Sequence, residues 1–122
     1  MQNQSSELMN ELRIKAAEYV AYKTLISQEG ANQEVAFMIR DIMSNIDGSM
    51  VRLSRDFYLR EPNSALIYHV TEFLQESKAN GSDVDSHEIQ KLELILRSLK
   101  RGKARAYKKM GIHQSEQPQE QE

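Results

Sequence analysis

One apolar stripe through the middle of the chain decides what it can become. Val35, Ile39, Ile42, Ile46, Met50, Leu53 and Phe57 follow one another at steps of 4, 3, 4, 4, 3 and 4 residues. That spacing holds all seven on one side of an α-helix, whereas a strand would scatter them over both of its faces. No segment alternates β-branched and polar residues over a strand length, so helix is the period of this chain. The stripe predicts a long helix from about Asn32 that stops before Pro62. Inside it lies Asp47-Gly48, a pair that usually marks a turn, and a mid-helix glycine costs about 1 kcal/mol relative to alanine. A chain reversal there has no reason to preserve the phase of the stripe, which favours one continuous helix. Two helices meeting at Gly48 are the alternative.

The same periodicity places three further helices. Leu8, Leu12, Ala16, Tyr19 and Ile26 mark a first, capped by Ser5 or Ser6 and ended by Gly30. Ser64 caps a third, whose Leu66, Ile67, Val70, Phe73 and Leu74 face one way and which ends around Asn80-Gly81. Asp85 with Glu88 three positions on matches a capping box and starts a fourth helix running to about Met110. Its apolar face is Ile89, Leu92, Ile95, Leu96, Leu99, Ala106, Tyr107 and Met110. Residues 112–122 are rich in Gln and Glu, contain Pro118 and read as a disordered polar and acidic tail. The expected architecture is therefore all-α: a single-domain helical bundle of about four helices over residues 1–111, with a long second helix.

Few kinds of chemistry fit these residues. At 122 residues the chain can bury one sizeable core. The absence of cysteine excludes a disulfide framework, a thiolate metal site and a cysteine nucleophile, and makes a reducing cytoplasm the expected location. No apolar run approaches the roughly 20 residues that cross a bilayer, so no membrane partner is expected. The three histidines, His69, His87 and His113, have no paired metal-ligand spacing; His69 and Glu72, one turn apart, supply at most two of the three or four ligands a metal needs. Five scattered glycines form no phosphate loop, and no serine stands at a sharp turn with a base and an acid. No catalytic, cofactor or metal site is expected, and the chain does not read as an enzyme.

Charge is the feature that stands out. From Arg97 to Lys109 the sequence RSLKRGKARAYKK carries seven basic residues and no acid. Of the 16 basic and 18 acidic residues in the chain, 9 basic and 18 acidic remain outside this segment, so a body at -9 adjoins a segment at +7. Arg97, Arg101, Arg105 and Lys108 fall on one helical stripe, with Lys100, Lys103 and Lys109 as supporting charge. Cations favour the C-terminal end of a helix, but that effect fades beyond the last turn while this segment covers more than three. The stripe suits either an acidic protein partner or the phosphates of a nucleic acid, since guanidinium binds phosphate bidentately. Pairing with the acidic body of the same chain is the structural alternative.

The second helix also carries Phe37, Val51 and Tyr58 at multiples of seven, away from the main stripe. A helix apolar on two sides lies between partners. Those partners are either helices of the same chain or, in a homodimer, a second copy. The leading expectation is a small helical adaptor or regulatory protein that acts by protein association; the alternative is a nucleic-acid-binding module using the same basic face.

Overall fold

The computed structural model describes residues 4–29, 32–81 and 86–111, which form four helices and, among these residues, no strand. They are α1 (Gln4–Glu29), α2 (Gln33–Arg60), α3 (Leu66–Ala79) and α4 (Ser86–Lys109). α2 is continuous through Gly48, as the unbroken stripe predicts. Its start is capped by Asn32, whose side chain accepts a hydrogen bond from the Val35 N–H at 3.1 Å. Its end comes where Pro62 forbids further helix: the Glu61 N–H still reaches the Phe57 carbonyl at 2.8 Å, and the chain then turns. Asn32→Ala leaves the Val35 N–H without its side-chain acceptor, and a thermal melt should show a loss of about 1 kcal/mol.

The other boundaries follow the sequence with small corrections. α1 is helical from Gln4 among the described residues, so Ser5 and Ser6 lie within the helix and not at the position before it; the Gln4 side-chain oxygen accepts a hydrogen bond from Arg60 Nε at 2.9 Å, which fastens this end to the end of α2. At α3 the N-cap position is Ala65, one residue later than expected, and the Ser64 hydroxyl serves from there by accepting the Leu66 N–H at 3.2 Å. Asn80 ends α3, and Gly81 follows with φ of 65°, a left-handed conformation that costs glycine nothing. Gly30, Asp85 and residues 112–122 lie outside the described residues, and with them the expected stop of α1, the capping box of α4 and the tail.

The contacts give the packing directions. Gln4 meets Arg60 while Tyr19 and Ile26 lie beside Asp47 and Met43, so α1 runs antiparallel to α2. Asp47 meets Arg97 and Arg101, Ser54 meets Gly102, and the Tyr107 hydroxyl donates to the Pro62 carbonyl at 2.6 Å, so α4 runs parallel to α2. α3 runs antiparallel to α4, since Lys78 pairs with Glu93 at 3.0 Å while Leu74, a turn earlier, lies beside Leu96 and Lys100. The order is thus up, down, up, down.

In such an order α2 and α4 are second neighbours, yet theirs is the most extensive contact in the molecule. Small residues allow it. Ser98, Gly102 and Ala106 repeat every four residues along α4, all buried, and Gly102 lies against the backbone of Ser54 and Arg55. Around this crossing Leu8, Leu12, Ala16, Met50, Phe57, Tyr58, Ile95 and Leu99 form one core. α3 is 14 residues long, about 21 Å at 1.5 Å per residue, against roughly 42 Å for the 28-residue α2. Val35, Met38 and Ile42, in the N-terminal half of α2, stay partly or largely exposed.

Two apolar assignments need correction. Val51 and Tyr58 are 1% and 0% exposed, inside this chain's own core, while Phe37 is 73% exposed. The three do not form one surface, and Val51 and Tyr58 are not available to a second copy. The reason is geometric: a line of sevens drifts by about 20° per heptad on a straight helix, so the three heptads from Phe37 to Tyr58 turn it by about 60°. Phe73, expected on the packed face of α3, is half exposed, and Met110 is exposed beyond the end of α4.

Candidate nucleic-acid or protein interface on the last helix

The basic segment is helical throughout, and its charges divide into three groups. Arg97 and Arg101 turn toward α2, where Asp47 takes both: Arg97 NH2 lies 2.8 Å from Oδ1 and Arg101 NH1 3.3 Å from Oδ2. Asp47 is 22% exposed, more enclosed than either arginine, so one carboxylate held on α2 pulls two guanidiniums onto it. Partial burial pulls the Arg97 guanidinium down, but the Asp47 carboxylate and the Tyr19 hydroxyl outweigh it and leave it above its ordinary value. Arg97 therefore stays charged at every accessible pH.

Lys103 forms the second group. Its ammonium stands 5.3 Å from the centre of the Tyr107 ring and 5.8 Å from that of Tyr58. Ring faces attract cations within about 6 Å, which draws Lys103 toward the two tyrosines. Its charge serves the fold.

Lys100, Arg105, Lys108 and Lys109 are the third group. All four are exposed, and none has an ion-pair partner among the described residues. Of the seven sequence-predicted basic residues, these four remain open to a partner. They are presented rigidly, because Ser98, Gly102 and Ala106 pin the opposite side of the same helix to α2 and Tyr107 ties its last turn to Pro62.

No family model matches the chain, and no curated protein or solved structure matches it. What the surface can bind therefore follows from its own residues.

Among the described residues no three His, Asp or Glu side chains gather to hold a metal ion. Glu72, the candidate neighbour of His69, instead accepts a hydrogen bond from the Tyr68 hydroxyl at 2.7 Å, and this bond raises the Tyr68 phenol above its ordinary 10.0. No helix among the described residues is long and apolar enough to cross a membrane.

Two features escaped the sequence. One is the role of Asp47, which the adjoining Gly48 disguised as part of a turn signal. The other is a cleft of about 400 Å³ between α1 and α2, into which Lys23 and Arg40 project from the two helices. Nothing in the spacing of Lys23 and Arg40 announces that they meet.

Proposed function

We propose that this chain is a non-catalytic helical adaptor or regulator that works by association, offering the basic end of α4 to an acidic protein partner. The observation that carries this reading is the set of exposed Lys100, Arg105, Lys108 and Lys109, without ion-pair partners among the described residues, on a helix whose other side is packed against α2. Fixed cations of one sign raise the local concentration of an oppositely charged partner and steer its approach. Pairing of Arg97 and Arg101 with Asp47 leaves Arg105 as the one guanidinium of the basic segment without an ion-pair partner among the described residues. Three lysines and one arginine suit diffuse attraction to carboxylates better than a row of bidentate phosphate contacts.

Anisotropy titration of a labelled glutamate-rich peptide, beside labelled duplex DNA and single-stranded RNA, tests the proposal at low and near-physiological salt. The peptide should bind, and replacing Lys100, Arg105, Lys108 and Lys109 together by alanine should weaken it by about tenfold or more, ~1.4 kcal/mol. Nucleic acid that binds more tightly than the peptide, with affinity falling steeply with salt, replaces this reading with phosphate recognition. Loss of neither ligand in the fourfold variant removes α4 as the interface.

Asp47 sets the strength of the basic face. Asp47→Ala releases Arg97 and Arg101 toward solvent at a cost of about 1 kcal/mol in stability, the usual scale for partly exposed ion pairs. Peptide affinity in the same titration should rise by about fivefold, since a gain of ~1 kcal/mol is typical of two added cations at a screened surface.

A further inference from the structure

The cleft between α1 and α2 is a second place where charge collects, on residues apart from the exposed end of α4. Lys23 comes from α1 and Arg40 from α2, both exposed and neither ion-paired to a described residue. Asp47 reaches the same cleft, but Arg97 and Arg101 already hold its carboxylate. The cleft is thus lined by two cations without ion-pair partners among the described residues and by one acid whose charge is already met from α4. Like charges aimed at one space repel, and the repulsion is relieved when an anion enters between them.

The remaining walls describe the rest of the ligand. Ile26 and Met43 supply apolar surface from the two helices, and methionine adapts to varied shapes. Tyr19 and Ser44 add hydroxyls that can donate to an oxyanion. A volume of about 400 Å³ suits a small molecule. An extended polyanion is disfavoured, because Glu18, Glu34 and Asp41 lie exposed on the same two helices. The geometry points to this cleft as a binding site for a small organic anion, a phosphate or carboxylate joined to an apolar group, held by Lys23 and Arg40 with its apolar part against Ile26 and Met43.

Methionine methyls give a direct reading. Met43 lines the cleft, Met50 is in the core and Met110 lies past the end of α4. Phenyl phosphate and benzoate, titrated separately into protein labelled at the methionine methyls, should produce a saturable shift of the Met43 resonance and leave Met50 and Met110 in place. The stronger of the two identifies the anionic group, while benzyl alcohol, which has the ring without the charge, should shift nothing. Lys23→Ala with Arg40→Ala should weaken the anion by about tenfold or more. Both side chains are exposed, so this variant should keep the wild-type circular dichroism. Arg105→Ala with Lys108→Ala should leave the affinity unchanged, which separates this site from the surface of α4. Absence of a saturable Met43 shift with either anion, or full affinity in the Lys23 and Arg40 variant, overturns the proposal. Inorganic phosphate binding as tightly as phenyl phosphate overturns the apolar half of it.

Discussion

Gly102→Ala should destabilise the fold by about 1–3 kcal/mol, while Gly48→Ala should stabilise it by about 0.5–1 kcal/mol. Both glycines lie inside helices, and alanine is the better helix former by about 1 kcal/mol at either position. What separates them is the neighbouring helix. A Cβ on Gly102 falls 2.4 Å from Ser54 Cβ and 2.6 Å from the backbone nitrogen of Arg55, distances that only a shift of one helix against the other can relieve. A Cβ on Gly48 meets nothing closer than the end of the Arg52 side chain at 3.4 Å, which can move aside. Urea midpoints of the two variants against wild type measure the difference, and opposite signs are the expected result. Gly102 also lies within the basic run, so its replacement should disturb how α4 presents Lys100 and Arg105 as well as how firmly it is held.

Tyr58→Ala should cost about 3–5 kcal/mol, more than Gly102→Ala, and Tyr58→Phe should stay within about 1 kcal/mol of wild type. The ring is fully buried, stacks edge-on against Phe57 at 5.1 Å between centroids, and stands under Lys103. Truncation removes all of these contacts and opens a cavity between α2 and α4. The hydroxyl is different: it is turned toward the Ile67 backbone and the Ser64 side chain without making a hydrogen bond to either, so phenylalanine keeps the packing and sheds an unsatisfied polar atom. Burial raises the Tyr58 phenol above its ordinary 10.0, the Ile67 backbone and Ser64 hydroxyl pulling the other way and the neighbouring Tyr107 adding to the rise. A raised folded-state value means that the stabilising neutral form is complete below pH 10.0 and that stability falls as pH climbs above it, because only the unfolded chain ionises freely. Urea midpoints between about pH 9 and pH 11 should therefore drop less in Tyr58→Phe than in wild type.

These two positions also show where sequence reasoning reached and where it stopped. Apolar periodicity carried α2 across Gly48, because phase is a property of neighbours along the chain and a glycine does not reset it. It located Leu8, Leu12 and Ala16 in α1 and Leu92, Ile95, Leu99 and Ala106 in α4, all of them buried. The α2–α4 crossing was out of reach, since Ser54, Ser98 and Gly102 are buried for their smallness and carry no hydropathic signal. Phe37, Val51 and Tyr58 looked alike in spacing and differ in depth, for depth depends on which helices lie alongside and for how far. On α4 the segregation of charge was plain in the sequence. Its division was not: Arg97 and Arg101 belong to an acid 50 and 54 residues away, a pairing that exists only once α2 and α4 run side by side.

The most direct measurement of the basic end of α4 as the interface is a nitrogen–proton correlation spectrum of the folded protein, recorded as an unlabelled glutamate-rich peptide is added. Amide shifts concentrated at residues 100–109, saturating with peptide and suppressed by salt, are the predicted result. Saturating shifts confined to the exposed apolar residues Val35, Phe37 and Met38, with residues 100–109 unmoved, would contradict it and transfer the interface to the N-terminal half of α2.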